Sequence, residues 1–248
     1  MTLTEIANFV TTVLSDTTSE SVSVCKDFIN RRYQFVWDTG LWTETLGIAS
    51  KAVSAGTSSS TVDDLIITID SVPDITFYQS VVAPATFIDF PVAIKFTETG
   101  KEDGLNLLND SWMTFFQIDP NAWENVSARR ANPTNFINLP KDGNGFCRIK
   151  PVPVPSAAGT LFVLGKLKWV ALGDSDSPAL NGIDNALIHF ATGDMLKRAR
   201  QREAGDRELA EATAHVQIMV DMETSQKQSI SRVIPYVYDD YTFREVIT

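Results

Sequence analysis

The chain has 248 residues, 44% hydrophobic and 21% charged, which suits one large or two small globular domains with a substantial core. Its 31 acidic residues outweigh 21 basic ones, and the net charge of −10 argues against a broad grip on nucleic acid phosphates. Cys25 and Cys147 are too few for a disulfide framework and are expected to be reduced, packed thiols.

The opening "MTLTEIANFV" has no basic region or apolar run of signal-peptide length, and no run reaches the ~18–20 apolar residues that cross a bilayer. A soluble protein made in a cytoplasm, with no membrane partner, is the expectation. "TLTEIANFVTTVLSD" predicts a first helix, with Ile6, Phe9, Val10 and Val13 on one stripe. "TTSESVSVCKDFINRRYQFVWDTGLW" predicts a second. Thr17 and Glu20 have capping-box spacing, Val22, Cys25, Ile29, Tyr33 and Val36 recur at helical intervals, and Phe28 and Phe35 widen the face. Gly40 is expected to close it.

From about residue 44 the texture becomes β-like. "LIITID", "ITFYQSVV", "VAIKFTE", "NFINLP", "FCRIKPV" and "TLFVLGKLKWVAL" are the strand candidates, and "GNGF" at 143–146 reads as a hairpin turn. Within this region Leu105, Leu108, Trp112 and Phe115 fall at helical spacing and predict a short helix. Pro151, Pro153 and Pro155 precede the last strand and read as a stiff segment that cannot donate to a ladder.

Helical periodicity returns after "GDSDSPALNG". Ile183, Leu187, Phe190, Ala191 and Met195 share one face, and Leu209, Ala212, Val216, Met219 and Val220 share another, with Asp206 as the expected N-cap. The closing "RVIPYVYDDYTFREVIT" reads as an extended arm. Each terminal helix pair exposes an apolar face that it cannot bury alone. The expectation is an α+β chain. The N- and C-terminal helix pairs, 1–43 and 176–230, form one bundle. Residues 44–175 are a β-rich insertion with one short helix, and 231–248 are an extended C-terminal arm.

A reaction centre is not legible. His189 and His215 stand without a ligand-spaced neighbour, and no nucleophile elbow, cysteine–histidine signature or P-loop is present. Asp63–Asp64, Asp174/Asp176 and Asp239–Asp240 fall in loop-like or arm-like sequence, where solvated acids are common. No catalytic residue, metal or cofactor is expected, and the chain is read as a non-enzyme. Lys197, Arg198, Arg200 and Arg202 form the densest basic cluster, suited both to a helix C-terminus and to docking an acidic partner. Arg129–Arg130 make a second, smaller one.

Four stretches together resemble the head–tail connector, or portal adaptor, family of tailed bacteriophages. They are "CKDFINRRYQFVWDTGLWTE" with its Asn30-to-Trp37 spacing, "ARRANPTNFINLP", "IKPVPVPSAAGTLFVLGKLKWVAL", and the run from "SDSPAL" into two closing helices. Asn132 stands where the family often has glycine. The resemblance implies a structural virion protein of the neck, a ring of copies, twelve-fold in familiar cases, that sits beneath the portal and meets tail or nozzle proteins. Genomic DNA would pass through the ring during packaging and ejection without specific binding. It implies that the arm docks on the portal or a neighbouring copy, with Tyr236, Tyr238, Tyr241 and Phe243 as anchors beside the basic cluster. A different neck protein, such as a stopper or tail-completion protein, is the alternative, followed by a glycan-binding or glycan-cleaving β-domain protein.

Overall fold

The computed structural model describes residues 1–54, 67–69, 75–76, 87–102, 104–110 and 130–226. These form two compact units, one helical and one built on a sheet.

In the helical unit, α1 (Leu3–Val13) is closed at its start by a capping box. Thr2 Oγ1 accepts from the Glu5 amide at 3.2 Å, and the Glu5 carboxylate accepts from the Thr2 amide at 2.8 Å. Its buried stripe is Leu3, Ile6, Ala7, Val10 and Thr11. Phe9 and Val13, expected on that stripe, are 50% and 59% exposed. In α2 (Ser19–Thr39) the N-cap is Thr18 rather than Thr17. Its hydroxyl accepts from the Ser21 amide, while Ser21 and Thr18 both donate to Asp16. Cys25, Ile29, Tyr33, Val36 and Trp37 are buried, but Phe35 is 56% exposed.

After a single 3₁₀ turn at Thr43–Thr45, the chain leaves for the sheet and returns at Lys168. α3 (Asp184–Arg198) buries Ala186, Leu187, Phe190, Ala191 and Met195. α4 (Arg202–Gln226) packs against it and buries Ala212 and Val216. Helices from both ends of the chain thus pack together: α1 on α2 and α3, and α2 on α3. Polar ties fix their register. Arg32 of α2 makes a bidentate pair with Asp194 of α3, both bonds 2.7 Å, while its guanidinium sits 5.1 Å from the Phe190 ring centre. Asn30 exchanges two hydrogen bonds with the Leu172 backbone, and the Tyr33 hydroxyl accepts from the Ala179 amide at 3.0 Å.

The sheet unit contains β1 (Leu46–Val53), β2 (Ile67–Ile69), β3 (Ile75–Thr76), β4 (Ile88–Glu98), β5 (Leu105–Asp110), β7 (Asn135–Leu139), β8 (Cys147–Val152) and β10 (Gly159–Leu167). Their spatial order is β2-β8-β7-β5-β4-β10-β1-β3. β6 (Arg130–Ala131) and β9 (Val154–Pro155) form a separate parallel pair. The large sheet is mixed, since β5 runs parallel to β7 whereas β4 pairs antiparallel with both β5 and β10. β5 corrects the helix expected there. Leu105 and Leu108 lie in a strand, and the remainder of that stretch, with Trp112 and Phe115, lies outside the described residues.

Two strands separate β4 from β8, so a flat sheet would hold them roughly 14 Å apart. Yet Phe87 beside β4 meets Phe146 beside β8 edge to face at 4.7 Å, and Asp89 pairs with Lys141. The sheet therefore curls. Its inner face carries Ile94, Phe96, Leu107, Phe136, Ile149, Leu161 and Val163, each at most 6% exposed. Each such side chain stabilises the fold by roughly 1.5–3 kcal/mol relative to exposure. The "GNGF" turn forms as expected, with Gly145 at φ 85° and the Asp142 carboxylate accepting from the Asn144 and Phe146 amides.

Candidate interaction surfaces

The basic cluster sits where α3 turns into α4. α3 ends with the Arg200 amide donating to the Lys197 carbonyl and the Gln201 amide to the Leu196 carbonyl, so Arg200 adopts the left-handed conformation, φ 65°. Glycine is the usual residue at such a cap. The turn brings the four cations close in space but divides their roles. Lys197 pairs with Asp206 of α4 at 2.6 Å, and Arg198 pairs with Glu20 of α2 at 3.0 Å. Arg200 and Arg202 are exposed. The cluster is half structural brace and half solvent-facing charge. Asp206 is not an N-cap, because α4 already begins at Arg202.

The aromatic anchors Tyr236, Tyr238, Tyr241 and Phe243 lie outside the described residues, as do Asp63–Asp64, Asp239–Asp240 and Arg129. Asp174 and Asp176 hold the start of α1. The Asp174 carbonyl accepts from Thr4, the Asp176 carbonyl accepts from the Leu3 amide, and the Asp174 carboxylate pairs with Lys26 at 2.7 Å.

His189 and His215, distant in sequence, stack at 5.4 Å across α3 and α4, and His189 Nδ1 lies 2.7 Å from the Glu208 carboxylate. Among the described residues no three His, Cys, Asp or Glu side chains are placed to hold a metal ion, and no helix is long and apolar enough to cross a membrane. Cys25 and Cys147 are free and buried. Burial pushes the Cys25 thiol up to about 12, and burial with the nearby Asp89 charge pushes Cys147 up to about 11.

One surface was missed in the sequence. Strand register places Phe162 beside Lys95 and Asn106, and Leu164 beside Ala93 and Leu108, on the outer face of β10, β4 and β5. Leu108 is 67% exposed and Phe162 39%. The same face carries exposed Lys95, half-buried Lys166 and Arg148, and buried Lys150. Strict alternation in "TLFVLGKLK" contained half of this signal. The parallel β5–β7 pairing that extends the face could not be read from periodicity.

Compared with models of known protein families, the chain matches none, and no curated protein sequence matches it.

Proposed function

We propose that the chain is a structural subunit of the neck of a tailed bacteriophage, an adaptor ring that joins the portal to the tail and extends the DNA channel. The observation that supports this reading is the packing of the two terminal helix pairs into one helical unit, with a large sheet unit formed by the intervening sequence. Two chemically different units give one subunit two different faces, which a closed heterologous ring requires. The acidic balance supports it as well, since a channel wall of net −10 subunits does not hold passing DNA through phosphate contacts.

In this reading the arm, residues 231–248, engages the portal or a neighbouring copy. Arg200 and Arg202, exposed at the α3–α4 turn, serve the same contact, and the ring is twelve-fold. Size-exclusion chromatography with and without a portal protein encoded beside this chain tests the assignment. A small species alone and a large co-eluting ring with the portal are expected. Failure to co-elute at every salt and stoichiometry overturns it.

A further inference from the structure

We propose that the outer face of the sheet, centred on Leu108 and Phe162, docks against the helical unit of a second copy of this chain. The inference rests on the ring reading only for its expectation that copies meet head to tail; the surface itself comes from register, exposure and charge.

Most of this face is uncharged or basic. Across β10, β4, β5 and β8 the outward register positions that reach solvent include exposed Lys95 and half-buried Lys166 and Arg148. The one acid whose register falls on that face is Asp110, in the row of Ile137 and Lys150. This stands out in a chain of net charge −10. The described residues of the helical unit show the opposite balance, with 16 acidic against nine basic side chains. The sheet face and the helical unit are therefore complementary in sign, and complementary potentials steer and orient encounter.

Apolar anchors sit within the basic rim. Leu108 is the most exposed large hydrophobic residue among those described, and Leu164, Ala93 and Phe162 neighbour it by register. An apolar centre with a charged rim is the usual anatomy of a protein interface. Among the described residues of the face, Phe162 is the exposed large aromatic, whereas single-stranded nucleic acid needs successive stacking rings, so a protein occupant fits better. The pairing joins two different faces, so it generates a ring or an open chain of copies rather than a two-fold dimer.

Sedimentation velocity over a concentration series, at low and at physiological salt, tests the face. The wild-type chain is expected to self-associate more strongly at low salt. Lys95→Glu and Leu108→Thr are each expected to weaken association at least tenfold while leaving the circular dichroism spectrum unchanged. Lys101→Glu adds the same negative charge in the β4–β5 turn, off this face, and serves as the control, with a smaller loss expected. A wild-type chain that stays monomeric throughout overturns the proposal, as does equal weakening by Lys95→Glu and Lys101→Glu, or none by Lys95→Glu and Leu108→Thr. Binding of an acidic peptide or an oligonucleotide by the face, without self-association, overturns the second-copy assignment. Rings that persist in Lys95→Glu and Leu108→Thr remove this face and leave the ring reading standing. Open chains that never close, yet depend on Lys95, do the reverse.

Discussion

Burial pulls the Lys150 ammonium down to about 8 from 10.5, because its side chain is only 2% exposed beside Ile137. Below pH 8 the folded chain holds the lysine charged in a buried position, against the desolvation that burial imposes. Between about 8 and 10.5 the folded state has released the proton that the unfolded state still holds, so this group makes stability rise with pH. The buried thiols act in the opposite sense. Their raised values mean that the folded state retains protons which the unfolded state loses above about 9. Comparison of two chains isolates the lysine. Relative to Lys150→Met, the wild-type chain is expected to gain stability as pH rises from about 8 toward 10.5, where only its unfolded state still holds the lysine proton. Urea denaturation of both chains from pH 7 to 10 measures it, and a constant difference across that range contradicts the assignment.

The helical hairpin depends on two glycines that face each other across α3 and α4. A Cβ on Gly193 would stand 2.9 Å from the Gly205 carbonyl oxygen and from the Leu209 side chain, and one on Gly205 would stand 2.8 Å from the Gly193 carbonyl. Backbone cannot yield as a side-chain tip can. Gly193→Ala gains up to about 1 kcal/mol of helix propensity but incurs overpacking of about 1–3 kcal/mol. A net loss is expected, read as a melting temperature lower by roughly 2–4 °C per kcal/mol. An unchanged or higher melting temperature would mean that the helices separate without cost.

The same elements show what the sequence could carry. The buried faces of α2 and α3 were legible, since Cys25, Ile29, Tyr33, Leu187 and Phe190 repeat at helical spacing and all are buried. β1 was not, because Gly47, Ala49, Ser50 and Ala52 give it little β-branched or aromatic character. β5 was misread because Leu105 and Leu108 are three apart, a helical interval that a strand with one inner and one outer leucine reproduces. Exposure of Phe9, Val13 and Phe35 was equally hidden, since periodicity marks an apolar stripe without saying how wide the neighbour is. Of the interaction surfaces, the basic cluster was visible as composition, but the internal pairing of Lys197 and Arg198 depends on contacts far apart in sequence.

At the scale of the molecule, the stability of the helical unit and the proposed docking of the arm should separate. The described ties of α4 to its unit include Lys197 with Asp206, His189 with Glu208, and Thr43 with Glu223 through two bonds of 2.7 and 2.6 Å. All of them, like the buried Ala212 and Val216, precede residue 231. Deletion of 231–248 removes Tyr236, Tyr238, Tyr241 and Phe243 together but touches none of these contacts. The truncated chain is therefore expected to be soluble, to keep its helical circular dichroism, and to melt close to the full-length temperature. It is also expected to lose co-elution with the portal, because aromatic anchors carry a large share of interface free energy. Two measurements on one variant divide the possibilities. Loss of the helical signal would place the arm in the folding core, and retained portal binding would move the contact to the basic turn at Arg200 and Arg202. Arg200→Glu in the truncated chain would then decide whether that turn holds the portal alone.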